Sequence, residues 1–309
     1  MEPILQYRAK LMGIAILAII LCHLSQLYPV MPWIRFGSSG VEIFFFLSGM
    51  GLVFSLRRNG NVLQFYGRRA LRILPSYYIA LILEAAVLSP AVLGWRSLCL
   101  YGGFRWFIYT ICLFYLLFPA YMALCRRISP FWVYAAVCCI VAACFLFLRP
   151  WIEPRWFARA PVFFLGCLCV QEEHILSHKR TLVLVASVAL ALFGYCNLQR
   201  DLYEPLGVLT LLRTLFTPGC CLLLAWCFKQ CERVCFGRAL MMCVGVYGVL
   251  SLEVYLLEGT VRPLVNQYLG VAYWPLEYVF LLPLAYAVNW LSKRIQGLFK
   301  RGGAVVAAR

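Results

Sequence analysis

Ten apolar runs, separated by short stretches of charge, proline or glycine, leave this chain one class of fold. They fall near residues 11–29, 39–56, 74–93, 105–124, 131–148, 160–171, 181–197, 206–228, 241–258 and 274–292. A run of about 20 apolar residues crosses a hydrocarbon core of about 30 Å as a helix, because in lipid the backbone polar groups must pair within the segment. The pattern predicts an all-α polytopic transmembrane bundle of about ten helices. It forms one domain over residues 1–292, followed by a basic cytoplasmic tail over 293–309. The sixth run is short for a span; it is tilted, re-entrant or continuous with the preceding loop, and its loss would invert everything downstream.

Composition excludes the soluble alternatives. Of 309 residues, 64% are hydrophobic and 13% charged, against roughly 45–50% apolar in a soluble domain. The net charge of +16 would suggest nucleic acid in a soluble protein. Here the basic residues cluster between apolar runs and report topology, so no nucleic-acid partner is expected. With the N-terminus inside, nineteen of the 28 lysines and arginines fall on cytoplasmic segments and eight on outer ones. Arg213 alone lies within a run. The asymmetry places both termini in the cytoplasm, and a multi-pass protein of the plasma (inner) membrane is expected. The first run, Leu11 to Leu27, is long and lacks a small-residue cleavage site, so it reads as a retained helix rather than a signal peptide.

The sixteen cysteines lie mostly inside apolar runs, where a thiol behaves as a small hydrophobe. Cys227, Cys231 and Cys235 have helical spacing but no histidine to complete a metal set, and His174 and His178 read as a solvated loop; no metal is expected. Glu253, Glu277 and Asp201 lie near helix ends or outer loops, where the sequence does not decide their exposure. Nothing in the sequence sets an oligomeric state.

His23 is an imidazole well inside the first run, and ionisable groups at that depth usually face a wet cavity or the bundle interior. Glu42, near the outer end of the second run, lies at a similar depth. Two readings fit. Either the carboxylate fixes the tautomer of His23 and leaves the other ring nitrogen to take a substrate proton, or the two form a structural intramembrane pair. Gly40, Phe44 to Phe46, Ser48 and Gly49 surround Glu42 in the sequence. In the basic run Phe65 to Pro75, Arg69 and Arg72 share a helical face at i, i+3, and Arg68 meets Arg72 at i, i+4. That face suits phosphates, since guanidinium binds them bidentately; it equally suits a topogenic loop.

GVEIFFFLSG at Gly40 to Gly49, with GIAILAIILCH ending at His23 before it and FYGRRALRILPSYY at Phe65 to Tyr78 after it, resembles the acyltransferase 3 family of ten-helix membrane O-acyltransferases. WFIYTICLFYLLFP at Trp106 to Pro119, RAPVFFLG at Arg159 to Gly166 and SLEVYLLE at Ser251 to Glu258 are similar to later motifs of the family, so the likeness spans nearly the whole chain.

The resemblance implies transfer of an acyl group, acetyl first of all, from cytoplasmic acyl-CoA to a hydroxyl of a cell-envelope or exopolysaccharide glycan. In that reading His23 and Glu42 are catalytic, Arg68, Arg69 and Arg72 hold the coenzyme's phosphates, and Ser48 and Glu258 bind the saccharide acceptor. Three positions depart from the family's pattern. Met12 stands where arginine is common, with Arg8 and Lys10 within about a turn; Glu42 stands for a frequent aspartate; and Glu258 stands for a frequent histidine. The competing function is a transporter or flippase of a lipid-linked saccharide, which a helix bundle with buried ionisable groups would also suit.

Overall fold

The computed structural model describes residues 1–24, 32–100, 106–148, 151, 153–204, 206–270 and 273–307. Among the described residues there are helices and turns and no strand. The α-helices are α1 (Glu2–Gln6), α2 (Arg8–Leu24), α3 (Gly40–Asn59), α4 (Val62–Val87), α5 (Trp95–Leu98), α6 (Trp106–Cys125), α7 (Pro130–Ala143), α8 (Ala160–Gln171), α9 (Lys179–Leu198), α10 (Arg200–Tyr203), α11 (Val208–Cys231), α12 (Cys235–Val249), α13 (Ser251–Tyr268) and α14 (Pro275–Ala307). A 3-10 segment, Pro32–Ser39, leads into α3.

Every apolar run meets a helix, and the architecture is the expected polytopic bundle. The count of about ten crossings is approximate. By length and composition six stretches among the described residues can cross a membrane: Phe36–Arg58, Val62–Val87, Trp106–Cys125, Pro130–Leu148, Lys179–Leu198 and Val208–Cys231. A seventh arises if α12 and α13, broken at Leu250, count as one. The sixth run is α8, with 12 residues. At 1.5 Å per residue it is about 18 Å long, well short of a 30 Å core. All of it but Leu165 and Gln171 is buried, so α8 is an internal strut. By contrast, α7 and α9 expose Trp132, Ile140, Leu184 and Leu192, a surface that only lipid would solvate cheaply.

The chain divides into two compact units, each made of two stretches of sequence. The first comprises Met1–Val62 and Phe107–Gly248, the second Leu63–Trp106 and Val249–Arg309.

In the first unit, α3 and α8 touch backbone to backbone. An added Cβ at Gly49 would fall 2.1 Å from the Phe163 carbonyl oxygen, and one at Gly166 would fall 2.2 Å from that of Phe46. Only glycine permits that approach. About two turns upstream on each helix, Glu42 of α3 meets Arg159 at the start of α8. Contacts in the same order along both helices mean that they run parallel. Phe45 and Phe163 accordingly share one neighbour, Phe114 of α6, at ring-centroid distances of 5.4 and 5.1 Å. Another close approach is antiparallel: Gly40 abuts the Ala15 carbonyl of α2, and Gly37 abuts that of Ala18. Helices α9 and α11 also pack antiparallel, with Phe193 against Phe216 and Gly219 against the Leu182 carbonyl.

In the second unit α4, α13 and α14 are tied by buried polar groups. Ser76 Oγ donates to Glu253 Oε1 at 2.8 Å, and Asn289 Nδ2 donates to the same oxygen at 3.0 Å. A hydroxyl has one proton. With that of Ser76 directed at the carboxylate, the Ser292 hydroxyl is the donor in its 3.0 Å contact with Ser76. Helix α4 starts at Val62, so the basic run and the third apolar run are one helix that continues through Pro75.

Candidate active site

His23 lies in the last turn of α2 and is half-buried. Glu42 lies in the first turn of α3 and is fully buried. The antiparallel register sets their relative height. Gly40 is level with Ala15 and Gly37 approaches Cys22, so Glu42, further into α3, falls at or below the level of Ala15. From Ala15 to His23 is about 12 Å of helix axis. The expected meeting of His23 with Glu42 is not the arrangement found.

Two guanidiniums hold the Glu42 carboxylate instead. Arg159 Nε lies 2.8 Å from Oε1, and Arg213 Nε of α11 lies 3.5 Å from the same oxygen. Both arginines are buried. Arg213 also stacks over the Phe193 ring at 5.1 Å, a cation–π contact that is stronger where water is absent. A carboxylate in a helix's first turn sits favourably in the dipole field, whereas an arginine at the N-cap of α8 opposes it. Glu42, not helix stability, therefore accounts for Arg159. One turn beyond Arg213, the Thr217 hydroxyl donates to its carbonyl at 2.6 Å. The next residue, Pro218, has no N–H to continue the ladder.

The phenylalanines after Glu42 form the expected apolar wall. Phe44, Phe45 and Phe46 are all buried, and Phe45 packs on Phe107 and Phe114 of α6. Ser48, the acceptor-binding candidate, is half-buried on α3.

The remaining candidates belong to the second unit. On α4, Arg68 and Arg69 are half-buried and Arg72 is exposed; Arg69 lies over the Phe65 ring at 5.6 Å. Glu258, the other acceptor candidate, is fully buried on α13 and paired with Arg262 one turn on. Arg262 also reaches Glu277 of α14 at 3.2 Å. Glu277 and Glu253, whose exposure the sequence left open, are both buried. The side chain of Asp201 lies outside the described residues.

A third ionic group joins α11 to the N-terminal helices. Tyr7 donates to Glu232 at 2.9 Å and Lys10 pairs with the same carboxylate. The Lys10 hydrogen bond holds Glu232 below the ordinary carboxylate range, while burial and Glu232 push the Tyr7 phenol up. Of the two cations near Met12, Lys10 is thus engaged by Glu232. The Arg8 guanidinium lies against Gly51 of α3, 3.4 Å from where a Cβ would stand.

Sequence reasoning missed Arg159, Arg213 and Arg262 as partners of the acidic candidates. One signal was present: an arginine inside an apolar run, as Arg213 is, requires a counter-charge, and the chain has only 12 acidic residues to supply one. Among the described residues no group of three or more His, Cys, Asp or Glu side chains is placed to hold a metal.

Compared with known proteins, residues 11–294 match the family model Acyl_transf_3, described as an acyltransferase domain. No curated protein and no solved structure matches the chain.

Proposed function

Because this chain belongs to the acyltransferase 3 family, we propose that it transfers an acyl group, acetyl in the simplest case, from cytoplasmic acyl-CoA to a hydroxyl of a cell-envelope or exopolysaccharide saccharide, across the plasma membrane with both termini inside. The family match over nearly the whole chain is the observation that carries this reading.

The chemistry asks little of the protein. A thioester is already activated, so the needs are a base for the acceptor hydroxyl, alignment of two substrates and stabilisation of the developing oxyanion. His23 is the base. It takes the hydroxyl proton as the oxygen attacks the thioester carbonyl; the C–S bond then breaks, and the imidazolium returns the proton to the leaving thiolate. Arg68, Arg69 and Arg72 bind the donor's phosphates. Stacking of Arg69 on Phe65 favours that role, since a guanidinium braced on a ring loses less freedom on binding. Ser48 offers a hydroxyl to the saccharide. Glu258 orients the saccharide only through the Arg262 pair that holds it.

The test uses membranes carrying wild type or His23→Ala, supplied with labelled acetyl-CoA. Label should enter the saccharide fraction with wild type and stay in the donor with the variant. Equal labelling would remove His23 from the mechanism. Movement of an unmodified lipid-linked saccharide across vesicles without acyl-CoA would replace the enzyme with a flippase.

A further inference from the structure

We propose that Glu42 works as the counter-ion of Arg159 and Arg213, not as the proton partner of His23, and that the two arginines are positioning residues for acyl transfer. The activity part of this inference rests on the function proposed above.

Three observations converge. The α2–α3 register places the carboxylate about 12 Å or more along α2 from His23, beyond the reach of a glutamate side chain. Its Oε1 is the oxygen met by both guanidiniums, at 2.8 and 3.5 Å. All three groups are buried, and removing one member of such a set leaves a buried charge short of a counter-ion.

The cluster has a mechanical role. Glu42 is on α3, Arg159 at the start of α8 and Arg213 on α11. One carboxylate therefore pins three helices, one of which carries Gly40 against Ala15 and so sets the height of α3 along the helix whose last turn carries His23. A base acts only where the reacting atoms are held in line, and a shift of about 1 Å costs on the order of 100-fold in rate. The cluster acts on His23 through helix placement, without exchanging a proton with it.

The decisive comparison is between Glu42→Gln, Arg213→Met and the double variant, purified in detergent, each measured by thermal melting and by steady-state transfer of acetyl from acetyl-CoA. Glu42→Gln leaves two guanidiniums facing each other; kcat should fall about 100-fold and the melting temperature should drop. Adding Arg213→Met removes the repulsion. The double variant should then melt above Glu42→Gln and recover at least about tenfold in kcat. KM for acetyl-CoA should stay within about threefold throughout, because uniform binding is not what is lost. Arg159→Lys, which keeps the charge, should retain more activity than Arg159→Met.

A double variant that regains its melting temperature but stays as inactive as Glu42→Gln would overturn the proposal, since a carboxylate would then be required by the chemistry. So would a double variant that fails to accumulate where Arg213→Met accumulates. Should wild type transfer no acetyl at all, the proposed function fails, and the melting order alone still decides whether Glu42 is a counter-ion.

Discussion

The two units solve one problem with opposite stoichiometry. In the first, a single carboxylate, Glu42, serves two guanidiniums; in the second, a single guanidinium, Arg262, serves two carboxylates, Glu258 and Glu277. The first set is buried and joins helices distant in sequence; the second, whose Arg262 is half-buried, joins the consecutive helices α13 and α14. The shared member differs in kind: Glu42 is short and ties its arginines to one oxygen, whereas Arg262 spreads five donors in a fixed fork and can satisfy two acids at once. Loss of the central charge should therefore be harsher in the first unit. The second unit also has a hydrogen-bond network on Ser76, Glu253, Asn289 and Ser292 to hold its helices together.

The largest effect should come from removing either centre. Glu42→Leu and Arg262→Leu each strand two like charges and should destabilise by about 3–5 kcal/mol, the range for breaking a buried ion pair from one side. Thermal melts in lipid nanodiscs would measure both, and a larger loss for Arg262→Leu would contradict the comparison. Next comes the contact that brings Glu42 to Arg159. Gly166→Leu drives a side chain into the Phe46 carbonyl and should cost about 1–3 kcal/mol, as overpacking does. Thermal melts of wild type and Gly166→Leu would read that loss. Smaller again is Asn289→Ala, which takes one donor from Glu253 and should cost about 1 kcal/mol, read from the same melts.

The smallest effect belongs to the half-exposed Glu232. Its carboxyl titrates below the ordinary value in the folded state. Its contribution to stability is therefore complete above the unfolded pKa of about 4.3 and is lost as pH falls through the lower folded value. Melting curves of wild type and Glu232→Gln should differ at neutral pH and converge as pH falls below the ordinary carboxylate range.

The bundle was legible because apolar run length is a local property. Each of the ten runs met a helix, and the GVEIFFFLSG and RRALR motifs lie unbroken on α3 and α4. The short sixth run was correctly singled out, and its burial as α8 explains why a crossing count was less secure than the runs themselves. Ion pairing is not local. Arg159 precedes the sixth apolar run and Arg213 lies within the eighth, and nothing near Glu42 encodes that α8 lies parallel to α3. A reading confined to neighbouring segments put His23 opposite Glu42 because the next helix in sequence was the only partner it could align. The same limit hid Ser76, whose hydroxyl looks like any other on an apolar helix until α13 and α14 are placed beside it.

The parallel pairing of α3 and α8 also orders events during synthesis. Helices that run the same way cannot close as a hairpin, so Glu42 emerges while its partners are still unmade. At roughly 5–20 residues per second, Arg159 follows on the order of ten seconds later and Arg213 later still. For that interval an apolar helix carries a carboxylate with neither guanidinium in existence. The first unit is therefore electrically complete only after α11 has been translated, and truncation before Arg213 leaves a chain with its apolar helices made and its buried charge unanswered.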